Sequence, residues 1–464
     1  MNYSHDDAII RSAIAEPLRS KVHADAAATY AVIFDLNIEY VDGREAAADR
    51  VRALLEQAAR ESAGDSGAIH ERKSAQSRRY LYGRLSGSAI RRLAELDASR
   101  PRKQRAIHRI WLDFEVRSLL TRSRSTVKAD AAQRSFSALG EGIVWAVLDT
   151  GIDGTHPHFA LHGNLLVDAP LRHMDFTADS PAAVQTLGDS SGHGTHVAGI
   201  LAGEYEGEGD SAALAMQRQR GDDGEVQHVR TEVRAVAGMA PRAKLLSLRV
   251  LDDSGLGVVS NVLAALDYIE QVNDHGRRLL IHGVNLSVGY DFDPEWFACG
   301  QTPLCAQVNR LVRTGVVVVA AAGNSGGGFT PSITDPGNAD LASTVGATHA
   351  EMPHVYGVSY FSSKGPTGDG RAKPDLIAPG ENVLSCGRDE CSPARAVYVE
   401  RSGTSMAAPH VSGAIAAFLS VRREFIGQPE AVKRIFTSTA TDLGRERHFQ
   451  GHGLLDLMRA IQSV

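Results

Sequence analysis

The run Val316–Ala322 (VVVVAAA), bounded by Gly315 and Gly323, limits the possible folds more than any other stretch. Four β-branched residues in succession suit a strand. A strand wet on one face would alternate apolar and polar residues, and this one does not, so both of its faces must be covered. That is the condition of a parallel sheet between layers of helices. Similar buried-type strands are expected at Ile143–Leu148, Ala243–Val250, Leu279–Val288 and Ser343–Ala347. Helical apolar spacing falls between and after them, at His193–Ala202, Ser260–Asn273, Ala306–Thr314, Ser405–Val421 and Pro429–Thr439. Residues 137–464 are therefore expected to form an α/β domain, a mainly parallel sheet covered by helices in three layers. In such sheets the site lies at the carboxyl ends of the strands.

The first quarter of the chain has a different pattern. Strands are expected at Tyr30–Ile38, Tyr80–Leu85 and Ile107–Leu120, and helices at Ala46–Ala59 and Ser88–Leu96, with Glu61–Ser77 as a loop. This implies a small α+β domain over residues 27–120, after a loose extension at 1–26. A polar, basic linker at 121–136 follows it. Residues 204–234 read as an acidic surface insertion in the larger domain. A length of 464 residues accommodates this division, and 43% hydrophobic with 22% charged residues is a globular composition. Residues 1–120 hold 20 Lys+Arg against 17 Asp+Glu, whereas the remainder holds 29 against 38. Opposite signs suit two parts that dock on each other, and no basic patch calls for nucleic acid. No apolar run is long enough for a membrane span. The N-terminus carries early acids and lacks the apolar core of a signal peptide, so a cytoplasmic location is expected, with export by another route as the alternative. The four cysteines lie as Cys299 with Cys305 and Cys386 with Cys391, at spacings that fit structural zinc poorly. They are expected to be reduced, with a local disulfide in an oxidising compartment as the alternative.

Four residues then fall at strand–helix junctions of the larger domain. Ser405, in Gly403-Thr404-Ser405-Met406, opens a helix of small apolar residues, where unpaired N–H groups and the positive dipole end face whatever the serine holds. Its simple reading is an N-cap serine. Asp149 closes the strand IVWAVLD beside Thr150 and Gly151, a place to orient a histidine or merely to turn the chain. His193 stands between Gly192 and Gly194; it reads as a general base, a cap, or a metal pair with His196, although no third ligand is evident. Asn324 follows VVVVAAAG, where an amide can donate to a developing oxyanion or simply form a turn. Together they make the set required for acyl transfer: orienting acid, general base, oxyanion donor and nucleophile.

The segments DTGID (149–153), GHGTHVAGI (192–200), AAAGN (320–324) and GTSMAAPHVSG (403–413) resemble the four signature segments of subtilisin-like serine proteases. The order Asp…His…Ser is also that family's. The resemblance covers about 137–464 and implies a triad of Asp149, His193 and Ser405, with Asn324 as oxyanion donor and Thr404, beside the nucleophile, as a substrate-binding residue. Ser287, Val288 and Gly289 would line the primary specificity pocket. Leu251 to Gly257, with Gly255 inside it, would pair with substrate backbone as an added strand. Thr334 and Asp335 would border the pocket, where Asp335 would favour a basic side chain. Protein or peptide substrates are implied, and no cofactor is required. The segments YLYGRLSGSAIRRLAEL and IHRIWLDFEVRSLL of the N-terminal domain resemble the family's ferredoxin-like propeptide, an intramolecular inhibitor. That implies a zymogen whose first cut follows Leu119 or Leu120, within a window Leu119–Arg124.

Two departures bear on calcium. His158 stands where many relatives carry a liganding Asp, and the 204–234 insertion replaces the family's short calcium loop. Glu204, Glu206, Glu208 and Asp210 remain calcium candidates, with a solvated acidic loop as the favoured reading and no metal site assigned. Two other functions fit the residues less well. An esterase would carry its serine in G-x-S-x-G and in another chain order. A binding or regulatory protein permanently silenced by its own N-terminal domain would keep the same fold.

Overall fold

A computed structural model describes residues 13–61, 67–75, 77, 79–113, 122–178, 187–207, 212–220, 226–290, 298–326, 331–388 and 396–464. The chain divides into two compact units, Met1–Ser118 and Leu119–Val464.

In the first unit, β1 (Thr29–Leu36), β2 (Gly67–Ile69), β3 (Tyr80–Ser86) and β4 (Ile107–Leu112) form an antiparallel sheet in the order β2-β3-β1-β4. Helices Gly43–Glu61 and Gly87–Ala98 connect β1 to β2 and β3 to β4, giving the β-α-β-β-α-β order of split βαβ folds. Their apolar stripes, Val51 and Leu54 on one and Ile90 and Leu93 on the other, share a core with Val32, Phe34, Leu85 and Ile110 of the sheet. Ser86 caps the second helix by accepting the Ala89 N–H at 3.3 Å. Two expectations need correction. Residues 13–24 of the supposed loose extension are ordered: Glu16–Ala24 is a helix, and Ile14, Leu18 and Val22 are buried in this core. A single stripe at i, i+4 and i+8 among charged residues is a weak signal, but three buried anchors hold it. The Glu61–Ser77 loop contains β2 and a short helix, Glu71–Ser74. Leu119 and Leu120, the expected cut sites, lie outside the described residues, as do Phe114 and Val116.

The second unit contains β5 (Val144–Asp149), β6 (Met174–Asp175), β7 (Glu204–Glu206), β8 (Ala213–Arg220), β9 (Val226–Val233) and β10 (Ala235–Ala237). They are followed by β11 (Lys244–Arg249), β12 (Gly283–Leu286), β13 (Val317–Ala321), β14 (Ser343–His349), β15 (Leu376–Glu381), β16 (Val383–Cys386) and β17 (Val397–Arg401). Seven make a sheet in the order β15-β14-β13-β12-β5-β11-β6, and every neighbouring pair is parallel. Successive residues feed opposite faces. Val147 and Val319 pack with Ala407, Val411 and Ile415 of the helix Thr404–Val421. Ala146 and Val318 pack instead with Val262 and Leu266 of the helix Val259–Val272 and with Val308 and Leu311 of the helix Pro303–Arg313. The run at 316–322 is thus apolar throughout because both faces are covered. Helix Thr404–Val421 is long and apolar enough to cross a membrane, but 83% of it is buried, as a core helix is.

A second sheet, in the order β16-β17-β8-β9, was not expected. The 204–234 insertion supplies β8 and β9 as an antiparallel hairpin, with β8 running parallel to β17. Among its described residues the insertion is not a solvated loop, because Ala213, Ala215 and Val233 are buried. The 121–136 linker is also structured. Helices Arg122–Thr126 and Ala129–Phe136 bury Val127, Ala129 and Ala132, and Lys128 is ion-paired with Asp456. Small alanines among charges look exposed in sequence yet allow close packing. Cys299, Cys305 and Cys386 are free thiols, and Cys391 lies outside the described residues.

Candidate active site

Asp149 ends β5 fully buried, and its Oδ1 accepts the Thr150 N–H at 2.8 Å and the His193 Nδ1–H at 2.7 Å. His193 opens the helix His193–Leu201, and its side chain is 26% exposed. With Nδ1–H committed to Asp149, the ring keeps its lone pair on Nε2. The neighbouring carboxylate raises the pKa of His193; burial opposes this, and the Arg401 cation pulls further down. Gly194 permits the contact, because a Cβ there would lie 2.2 Å from Gly151 O and 3.0 Å from the Asp149 Cβ. Asp189 braces the loop from behind. It accepts Thr150 Oγ1–H at 2.8 Å, Gly192 N–H at 2.9 Å, and from Thr195 the N–H at 2.8 Å and the hydroxyl at 2.6 Å.

Ser405 lies in the first turn of the helix Thr404–Val421. Pro409 sits four residues on and lacks an N–H, so the Ser405 carbonyl has no helical donor. Ser287 Oγ donates to it instead at 3.0 Å, and is itself held by Asn285 Nδ2 at 2.8 Å. Ser412 Oγ in turn donates to Asn285 Oδ1 at 2.9 Å. This chain of polar groups fixes the turn that carries Ser405 against β12. Ser405 Oγ donates to Ser287 O at 3.3 Å rather than to His193. Asn324 is oriented by its neighbours, since its Oδ1 accepts the Thr404 N–H at 2.9 Å and the Thr404 hydroxyl at 3.1 Å. Its Nδ2 is thereby left to donate.

His193, Ser405, Asn324, Thr404, Leu251, Gly255, Ser287, Val288 and Gly289 line one cleft of about 690 Å³, and Asp149 contacts it through His193. Thr334 also lines it, its hydroxyl 3.0 Å from a Cβ placed on Gly289 and 2.6 Å from one on Gly323. Asp335 does not. It is 6% exposed and accepts from Tyr290 at 2.9 Å, Thr302 at 2.6 Å and Asn338 at 2.8 Å, so the expected selection of a basic side chain loses its carboxylate. The metal-pair alternative also fails: His196 is fully buried, its Nε2 bonded to Val399 O at 3.0 Å. Burial depresses its pKa to about 3.

At the position of the family's calcium ligand, His158 is fully buried, with Nδ1 3.0 Å from Tyr398 Oη and Nε2 3.2 Å from Gly199 O. Both nitrogens are occupied, and an imidazole is a poor ligand for an oxygen-seeking cation, so these residues do not fit calcium. Glu204 pairs with His162 at 2.8 Å, Glu206 lies in β7, and Glu208 and Asp210 are outside the described residues. Asp189 and Arg401 escaped the sequence reading, as did the bracing roles of Asn285, in the strand likened to a pocket wall, and of Ser412. Pro409 within an apolar helix was the available clue to the Asn285 and Ser412 network, because it marks the carbonyl four residues back as needing another donor.

Residues 140–453 match the Subtilase family. The serine protease AprX of Bacillus subtilis (strain 168) is 30% identical over 344 residues, which is 71% of this chain and 68% of that protein. Subtilisin E of the same organism is 29% identical over 339 residues, 73% and 70% of the two chains. An alkaline protease of Alkalihalobacillus alcalophilus is 32% identical over 332 residues, 72% and 67% of the two.

Proposed function

The chain belongs to the subtilase family and is a serine endopeptidase, and from that premise we propose that Asp149, His193, Ser405 and Asn324 carry its chemistry. The observation that carries this reading is the Asp149–His193 pair at 2.7 Å behind the one cleft that also holds Ser405 and the Asn324 amide. In the proposed reaction Ser405 Oγ turns from Ser287 O to His193, loses its proton to Nε2 and attacks the substrate carbonyl. Asn324 Nδ2 and the Ser405 N–H, in a helix turn whose N–H groups lack helical partners, hold the oxyanion. His193 passes its proton to the leaving amine, and water repeats the sequence on the acyl-enzyme. Asp149 fixes the ring and stabilises its charged form. Ser287, Val288 and Gly289 with Thr334 take the acyl-side side chain, and Leu251 to Gly257 pairs with substrate backbone. No organic cofactor is needed.

We also propose that the N-terminal unit is an intramolecular inhibitor, so that the protein is made as a zymogen. Its support is a unit with its own core, Val32, Phe34, Ile90 and Ile110 among others, outside the matched segment 140–453. The test is intact mass over time for the full chain beside Ser405→Ala. Loss of roughly the first domain's length of chain by the wild type alone is expected. If both stay whole, self-maturation is wrong, and the unit is a standing regulator or is removed by another protease.

A further inference from the structure

Every side chain lining the cleft among the described residues is uncharged, with two exceptions: the general base His193 and Arg401. Arg401 ends β17, four residues before Ser405, and is half-buried. Its Nη2 donates to Ser191 O at 3.3 Å and lies 3.5 Å from a Cβ placed on Gly192, so the guanidinium rests on the two residues before His193. That single bond uses one of five N–H donors, and among the described residues no carboxylate pairs with the group. Asp189, the nearest acid in the loop, already accepts four bonds from Thr150, Gly192 and Thr195.

The flank on which this cation lies can be assigned from the reaction. The acyl-side side chain enters beside Asn324, between Ser287–Gly289 and Gly323 with Thr334. The leaving amine must receive its proton from His193, so the chain beyond the scissile bond departs past the Ser191–His193 flank. We infer that Arg401 is a specificity-determining residue, which favours substrates carrying a carboxylate at the first or second residue after the scissile bond. The inference rests on the proteolytic reading and adds a substrate class to it. An Asp or Glu there would gain a charge-assisted, potentially bidentate contact. A Lys or Arg would meet an unpaired cation in a partly desolvated cleft, and it is this repulsion as much as the attraction that discriminates.

The experiment uses full-length protein incubated until its mass is constant, and quenched peptides that differ only at those two positions (Glu, Gln or Lys). The readout is the ratio of kcat/KM for the Glu and Lys peptides within each preparation, which cancels differences in active fraction. The wild type should favour Glu by about tenfold, the scale of one partly exposed charged contact. Arg401→Lys should keep most of that preference, Arg401→Gln should bring the ratio near one, and Arg401→Glu should invert it. A wild-type ratio near one, or the same ratio in wild type and Arg401→Glu, overturns the inference while leaving the protease reading intact. If no peptide, the Gln one included, is cleaved in a Ser405-dependent manner, the proteolytic reading fails and this inference fails with it.

Discussion

Two sheets of the larger unit reach the same cleft with different roles, while β7 and β10 pair separately as a third. The seven-stranded parallel sheet delivers Asp149 at the end of β5, Ser287 just past β12 and Asn324 just past β13, and packs the Ser405 helix on one face. The four-stranded sheet delivers Arg401 at the end of β17. The first holds its residues by burial in two cores. The second is fastened by histidine rings to the turn after β5 and to the helix His193–Leu201: His156 to Val397 O, His158 to Tyr398 Oη and Gly199 O, and His196 to Val399 O. On the proposed reading, the parallel sheet carries the reaction and the smaller sheet carries the Arg401 contact that biases substrate choice. Changes arriving through the first should lower turnover on every substrate. Changes arriving through the second should alter stability and substrate choice.

The largest effect belongs to Ser405→Ala. Removing the serine or histidine of subtilisin costs about 2 × 10⁶ in kcat, and a loss of that order is expected here, read as turnover of a chromogenic peptide. A mild loss would mean that the nucleophile lies elsewhere. Asn324→Ala comes next: loss of subtilisin's own side-chain oxyanion donor costs about 10²–10³ in kcat, and the same is expected with KM little changed. Unchanged turnover would remove Asn324 from the mechanism and break the parallel-sheet half of the contrast.

On the smaller sheet, Tyr398→Phe is the sharper test. His158 Nε2–H donates to Gly199 O, so Nδ1 accepts from the buried Tyr398 hydroxyl. Losing that hydroxyl strands Nδ1 and should cost about 1–3 kcal/mol of stability, measured by denaturant unfolding, with kcat largely retained. A large fall in kcat without a stability change would show that β17 takes part in the chemistry. These rings, together with His410 buried in the helix Thr404–Val421, predict acid sensitivity. Burial holds His158 and His196 at about 3 and His410 at about 4, far below the unfolded value near 6.5. Between those values the unfolded chain binds protons that the fold refuses, so stability is full above about pH 6.5 and falls as pH drops toward 4 and 3. Each group contributes at most about 1.4 kcal/mol per pH unit. A stability profile flat from pH 6.5 to 4 would contradict the buried, neutral assignment.

The parallel sheet was legible in sequence because its requirement is local: a strand covered on both faces must be apolar throughout, and Val316–Ala322 is. The residues of the candidate site, which the structure brings to one cleft, stood out in sequence because glycines and short polar residues recur together at strand ends, as at Asp149-Thr150-Gly151 and Gly192-His193-Gly194. The smaller sheet was not. Its strands are held by partners distant in sequence, β8 beside β17 and His196 beside Val399, and residues 204–234 appear as charge with little periodicity. Asp335 was misread for the converse reason: an acid near a pocket looks available until Tyr290, Thr302 and Asn338 are seen to occupy it. Arg401 was missed because nothing in GTSMAAPH or its neighbours indicates that a strand from another sheet ends over Ser191.

The smallest expected effect joins the two sheets at one proton. His193 is faced by Asp149 from β5, by Asp189 from the loop before its helix, by Arg401 from β17, and by His196 one turn along, which burial keeps neutral. Asp149 is the strongest influence and lifts the His193 pKa above its ordinary 6.5, while Arg401 pulls it down. Activity needs the neutral ring, so the acid limb of kcat/KM should lie above the ordinary histidine value. In Arg401→Gln the opposing cation is gone, protonated His193 becomes easier to form, and the limb should move to higher pH. On a peptide uncharged beyond the scissile bond the shift should be upward and should shrink as salt screens the cation. A limb that stays in place would mean that Arg401 leans away from the ring in solution. The smaller sheet would then influence substrate choice alone, and the division between the two sheets would be cleaner than the structure suggests.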